Sequence, residues 1–283
     1  MLDSIHLKNV DPALEMKMDL APRLNLITGD NGLGKTLLLD CAWWAISRTW
    51  PMTCGGKGVV PAKEEARIDW TERCGDTLFS SRAEYHFADS GWMMHVSDEM
   101  ESRRRGALVV YLRVDGGISV HDPLRIGQPA LGKSNAFQFR DTQIWDGLGN
   151  ETGRACEGLV RDVSRWALQP ENKEFDHLDR LVEQLAGEEN FHLTRKMDRV
   201  YVDDTRDFLF VSGPTGDFPI AHVPAGLRRI LGLAYMVVWA WREHRIAASL
   251  KKRPSSTSLI LLIDEVESHL HPRWQRTILP SLL

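Results

Sequence analysis

Cysteine is scarce and scattered in these 283 residues: Cys41, Cys54, Cys74 and Cys156 form no C-x-x-C pair, which argues against both a zinc site and a disulfide framework. No apolar run approaches the roughly 20 residues needed to cross a bilayer. Met1-Leu2-Asp3-Ser4 opens nothing like a signal peptide, so a cytoplasmic protein without a membrane partner is expected. Positive charge is not in excess, with 35 Lys and Arg against 39 Asp and Glu. The formal net charge of −4 speaks against a surface uniformly coated for phosphate backbones. Internal repeats and long heptad runs are missing as well, which excludes long coiled-coil arms.

At 43% hydrophobic, the chain is long enough to bury a substantial core, as one large domain or a domain with an inserted lobe. Near its start stands Gly29-Asp30-Asn31-Gly32-Leu33-Gly34-Lys35-Thr36, a complete G-x-x-x-x-G-K-T phosphate loop. Apolar Leu24-Asn25-Leu26-Ile27 precedes it, and Leu37-Leu38-Leu39-Asp40-Cys41-Ala42-Trp43-Trp44-Ala45-Ile46, free of Gly and Pro, follows. The pattern predicts a strand, a loop and a helix, a junction at which backbone N–H groups converge on phosphates. Gly29, Gly32 and Gly34 permit the curl a side chain would forbid, and the backbone from Gly29 to Leu37 forms the cradle. Lys35 is the residue to reach the β and γ phosphates of ATP, and Thr36 to occupy one place on Mg²⁺. The bland alternative is a Gly-rich turn before a buried helix.

Far down the chain, Ser258-Leu259-Ile260-Leu261-Leu262-Ile263-Asp264-Glu265 is an unbroken apolar run ending in two acids. It reads as a parallel strand buried on both faces that delivers its carboxylates beside the phosphate loop. Asp264 would hold Mg²⁺ and Glu265 would polarise the attacking water. An Asp-Glu pair that merely caps the next helix is the competing reading.

These motifs together resemble the ABC-type ATPases of the RecF, SMC and OLD kind. Ile5-His6-Leu7-Lys8-Asn9-Val10 is similar to their opening strand, and Ile263-Asp264-Glu265-Val266-Glu267-Ser268-His269-Leu270-His271-Pro272 to the Walker B segment of OLD-like members. The resemblance implies an α/β P-loop NTPase, an ABC-type head with an antiparallel β subdomain and a helical lobe. It also implies a signature helix that one subunit offers to the γ-phosphate of another. Ala221-His222-Val223-Pro224-Ala225-Gly226-Leu227-Arg228-Arg229 stands in that place, with Pro224 where Ser is usual and Leu227 where Gln is common. Gly226 and the helix N-terminus remain to meet phosphate, and Arg228 or Arg229 could supply charge in trans; alternatively Pro-Ala-Gly simply starts a core helix. For the glutamine that links the Mg²⁺ site to the helical lobe, Gln143 is preferred over Gln138. Family members continue into another strand with a switch histidine, so the strand after Ser281-Leu282-Leu283 is expected to be missing, with turnover correspondingly low.

Residues 1–52 would form the first part of the nucleotide-binding core, 53–140 an antiparallel β insertion, 141–198 the helical lobe and 199–283 the signature helix and Walker B part. Within the insertion, segments around 68–70, 82–87, 92–96 and 108–114 read as one antiparallel sheet, with Asp89-Ser90-Gly91 and Asp115-Gly116-Gly117 as turns. Helices are expected over 155–168 and 173–186, and a hairpin over 199–211. Arg103-Arg104-Arg105 and Lys251-Lys252-Arg253 are solvated turns by default, with nucleic acid as the functional alternative. The resemblance implies an ATPase that dimerises over ATP to drive or gate a DNA-related or anti-phage effector, a nuclease or toxin in another chain or in a missing C-terminal part. A nucleotide-sensing module with little hydrolysis is the alternative, and a P-loop kinase is disfavoured by Glu265.

Overall fold

The computed structural model describes residues 1–30, 32–55, 58–61, 63–98, 107–125, 136–151, 153–187 and 191–265. Five strands form an antiparallel sheet in the order β2-β1-β3-β4-β5: β1 (Leu2–Val10), β2 (Ala13–Asp19), β3 (Arg67–Cys74), β4 (Thr77–His86) and β5 (Gly91–His95). Alternation drives it. In β3 the side chains of Ile68, Trp70 and Glu72 are buried while those between them stay half-exposed. Helix α1 (Lys35–Ser47) shares a core with this sheet, and its Trp44 stacks on Trp50 at 4.7 Å and meets Trp70 edge-on at 5.8 Å.

A second sheet, ordered β14-β6-β7-β8, contains β6 (Leu108–Leu112), β7 (Ile118–His121), β8 (Phe137–Phe139) and β14 (Leu259–Ile263). Strand β14 runs parallel to β6, and the remaining pairs are antiparallel. All of β6 is buried because its alternate residues serve two cores: Val109 and Tyr111 join the core of α1, whereas Leu108, Val110 and Leu112 join that of α5 (Ala225–Lys251). Strand β14 divides in the same way, with Ile260 and Leu262 towards α1 and Leu259, Leu261 and Ile263 towards α5. The sheet is therefore the middle layer, with β14 as one of its strands and α1 packed on one face.

The lobe on the α5 side holds α2 (Asp141–Asp146), α3 (Leu159–Ala167) and α4 (Lys173–Ala186). It also holds the ribbon of β9 (Leu148–Asn150) with β10 (Gly153–Cys156), and the sheet of β11 (His192–Arg199), β12 (Asp207–Gly213) and β13 (Gly216–Pro219). Asn172 caps α4 by accepting the N–H groups of Glu174 and Phe175 at 3.0 and 3.2 Å. Among the described residues no helix is long and apolar enough to cross a membrane.

The chain is α/β, and its expected helix over 173–186 is present as α4. Four local expectations are revised. Leu24-Asn25-Leu26-Ile27 is not a strand, and Leu24 and Leu26 remain 48% and 61% exposed. An extended segment needs a hydrogen-bonded neighbour, and the described residues give it none. The segment at 108–114 leaves the antiparallel sheet and pairs with β14, because an all-apolar strand is satisfied only where both of its faces are covered. Strand β14, expected to be fully covered, is half-buried at the end of its sheet, since β6 is its one partner among the described residues. The segment at 155–168 also divides, its first residues ending β10 and the rest forming α3 after Gly158, whose φ of 92° breaks the run.

Trp239 of α5 lies fully buried, with Phe137 and Phe139 edge-on at 5.9 and 5.4 Å. Trp239→Ala should lower unfolding free energy by about 3–5 kcal/mol, read by urea denaturation. A cost under about 1 kcal/mol would show that the α5 core is not packed as described.

Candidate nucleotide-binding site

Helix α1 begins at Gly34, whose φ of 87° lies in the left-handed region. A Cβ there would also meet Met16 Cε at 3.3 Å, so the loop is roofed by β2 as well as turned by its glycine. The first turn of α1 contains no acid and its cap makes no side-chain hydrogen bond, which leaves the partial positive charge of the N-terminus uncompensated. Lys35 folds back over the loop, and its Nζ donates to the carbonyls of Gly29 at 2.5 Å and Asp30 at 2.9 Å.

Thr36 points the other way, to the sheet. Its Oγ1 donates to Asp264 Oδ2 at 2.8 Å, closing a contact across 228 residues. Asp264 is held at the carboxyl end of β14, where its N–H donates to Leu112 O at 2.9 Å and extends the ladder with β6. Burial raises the Asp264 carboxyl above its ordinary value; the Thr36 hydrogen bond opposes this, the neighbouring Glu265 charge adds to it, and Lys35 offsets it. Glu265 follows at φ 47°, a left-handed conformation that costs a non-glycine residue about 1–2 kcal/mol. Its side chain is half-exposed.

Of the expected site residues, Gly29, Asp30, Gly32, Leu33, Gly34, Lys35, Thr36 and Leu37 form the loop and helix start, with Asp264 beside them and Glu265 next in the chain. Asn31 lies outside the described residues, as do the stretch 266–283 with His269 and His271, and the Arg103-Arg104-Arg105 cluster. Gln143 is not brought in. Its Oε1 accepts the Arg140 N–H at 2.9 Å, so its side chain is occupied in capping its own helix, α2. Gln138 is occupied too, bonding the Met52 N–H at 2.6 Å and Trp50 O at 2.9 Å.

Gly226 sits in the first turn of α5 behind Pro224, which caps the helix with no side-chain hydrogen bond. Arg228 is engaged within the chain, bonding Asp141 at 2.9 Å and lying 4.0 Å from the Trp145 ring. Arg229, expected to act on a second copy, turns to its own site: it donates to Arg113 O at 3.3 Å and feels the charges of Asp115, Glu265, Asp141 and Asp264. Burial pulls its guanidinium below the ordinary value, against those acids.

One buried carboxylate beside the site carried no sequence expectation. Asp40, one turn beyond Thr36, accepts a hydrogen bond from Tyr111 Oη at 2.7 Å and lies close enough to Asp264 to sense its charge. The available signal was an acid inside an otherwise apolar helix.

With this geometry in place, two family models match. One described as "AAA domain, putative AbiEii toxin, Type IV TA system" covers residues 144–283, and one described as "AAA domain" covers 4–69. No curated protein matches significantly. Solved structures similar in outline include an SMC head bound to the C-winged helix domain of ScpA, at 14% identity over 99% of this chain and 85% of that one, TM-score 0.48. Another is the recombination mediator RecF with ATP, at 14% identity over 100% and 90%, TM-score 0.48. The SMC head of Thermotoga maritima is similar at 12% identity over 99% and 91%, TM-score 0.39.

Gly34→Ala should destabilise the fold by about 1–2 kcal/mol through the left-handed backbone alone, measured by denaturant titration. An unaltered midpoint would contradict the assigned conformation.

Proposed function

We propose that this chain, an ABC-type P-loop ATPase of the RecF/SMC group, grips Mg²⁺-ATP between the α1 loop and the end of β14 and uses closure over the nucleotide as its output. The observation that carries the reading is the Thr36–Asp264 contact, which sets the hydroxyl and the buried carboxylate of two distant motifs 2.8 Å apart.

Lys35, now lying across the loop carbonyls, would swing to the β and γ phosphates, exchanging neutral acceptors for charged ones. The N–H groups from Gly29 to Leu37 would cradle the phosphates at the uncapped helix start. Thr36 Oγ1 and Asp264 Oδ2 are hard oxygen donors next to the loop, the donor chemistry that Mg²⁺ accepts when it also keeps phosphate and water ligands. When bound, the ion neutralises phosphate charge in the transferring group. Glu265, half-exposed beyond Asp264, would orient the attacking water and take its proton. Gly226 of a second copy would close the site, making a nucleotide-dependent homodimer whose closing gates a DNA-related or defence effector, nucleic acid, nuclease or toxin.

Pro224 at the α5 cap offers no hydroxyl to a γ-phosphate, which favours a second reading, a nucleotide sensor that hydrolyses little. Steady-state turnover of the wild-type chain separates the two. Under the first reading Glu265→Gln should reduce turnover by about 10²–10⁴-fold while ATP-induced dimers persist in size-exclusion chromatography with light scattering. Retained turnover rejects Glu265 as the base, and a monomer with and without ATP rejects closure. Lys35→Ala should weaken binding of a fluorescent ATP analogue by about tenfold or more, since a charge-assisted partner of phosphate is lost; an unchanged titration would contradict its role.

A further inference from the structure

We propose that Asp40 is a positioning residue of this ATPase: together with Tyr111 it forms a second latch between α1 and the sheet, fixing the rotation of α1 so that Thr36 faces Asp264. This rests on the reading of Thr36 and Asp264 as the metal-facing pair. Thr36 and Asp40 stand four residues apart, so they share one face of the helix. Thr36 reaches Asp264 beyond β14, and Asp40 reaches Tyr111 of β6 at 2.7 Å. The two partner strands are neighbours in register: Tyr111 pairs with Leu262, and the next residue, Leu112, receives the Asp264 N–H. Two contacts one turn apart on one face fix roll as well as position, whereas either alone would act as a pivot.

Magnitude makes this matter. A 20° roll of α1 moves a hydroxyl about 4 Å from the helix axis by more than about 1 Å. Mg²⁺ demands near-octahedral ligands at about 2.0–2.1 Å, and a misplacement of about 1 Å costs on the order of 10²-fold in rate.

The chemistry of the latch is one-directional. Asp40 is buried, and its Oδ2 accepts a hydrogen bond from Cys54 Sγ at 3.3 Å while Tyr111 serves Oδ1. Burial and the adjoining carboxylate push the Cys54 thiol up to about 12 and the Tyr111 phenol upward too, so both neighbours stay protonated and donate. An apolar side chain at position 40 would avoid the desolvation cost but would leave the Tyr111 hydroxyl, on a strand buried throughout, without this acceptor. Trp43, on the next turn, packs 5.9 Å from the Tyr111 ring, so the aromatic body is held by packing while the hydroxyl supplies direction.

Tyr111→Phe removes the hydroxyl and keeps the ring, and Asp40→Asn keeps the volume. For each, Mg²⁺ affinity with ATP present is measured by calorimetry, ATP affinity is measured in EDTA, and exchange of the α1 amide hydrogens is followed in nucleotide-free protein. The latch predicts Mg²⁺ affinity about tenfold weaker and kcat reduced by at least as much, faster exchange in the first turns of α1, and ATP affinity in EDTA within about twofold of wild type. Mg²⁺ affinity and kcat at wild-type values overturn the latch, whatever happens to the melting temperature. Should Asp40→Asn fail to fold, Tyr111→Phe decides alone. A wild-type protein whose ATP binding ignores Mg²⁺ rejects the metal assignment and the latch with it, whereas a metal-dependent wild type with an indifferent Tyr111→Phe rejects the latch alone.

Discussion

The hydrogen bond from Thr36 to Asp264, 2.8 Å long, is the constraint on which the site depends. It joins the first helix to the last described strand, and neither partner would come to that place alone. Gly34 turns the chain into α1 so that Thr36 faces the sheet, and the parallel pairing of β14 with β6 carries Asp264 to the same edge. Because β6 and β14 place alternate residues in two cores, a shift of either strand by one residue would exchange those faces and withdraw Asp264 from Thr36. Packing throughout the middle layer therefore specifies the position of one carboxylate.

The electrostatics around that carboxylate are crowded and mostly buried. Burial raises the Asp40 and Asp264 carboxyls, the Asp264 charge adds to the first and the Glu265 charge to the second, while Arg113 acts on Asp40 and Arg229 lies within range of Asp264 and Glu265. Arg113 is itself buried, its guanidinium donating to Ser119 Oγ, Phe139 O and Asp115. Asp40 and Asp264 are buried carboxylates within electrostatic range of each other, and poorly solvated carboxylates are the setting in which a small divalent cation gains most. Arg229 also adds positive charge beside these acids within its own chain.

The parts of the molecule legible in sequence are those set by local chemistry. The loop glycines, Lys35 and Thr36 declare themselves by spacing, α4 by its apolar period, and the β4–β5 and β6–β7 turns by their Gly-containing signals. Long-range pairing was legible only where the two motifs demanded it, in the parallel strand that brings Asp264 to the loop. Leu24-Asn25-Leu26-Ile27 has the composition of a strand but pairs with no described strand, and residues 108–112 look like a continuation of the hairpins before them until β14 supplies a parallel partner from 151 residues away. Gln143 shows a further limit: the family resemblance suggested a link to the metal, yet the Arg140 N–H at its own helix start takes its side chain. Asp40 went unread because a lone acid in an apolar helix has no pattern, and only the fold reveals Tyr111 opposite it.

A crystal structure with Mn²⁺ and a non-hydrolysable ATP analogue tests the central claim most directly, because anomalous scattering locates the ion without interpretation of the surrounding density. The account predicts one peak about 2.0–2.3 Å from Thr36 Oγ1, on the side facing Asp264, with the triphosphate along the N–H groups of Gly29 to Leu37. A peak remote from Thr36 and Asp264, or phosphates bound away from the α1 loop, would contradict it.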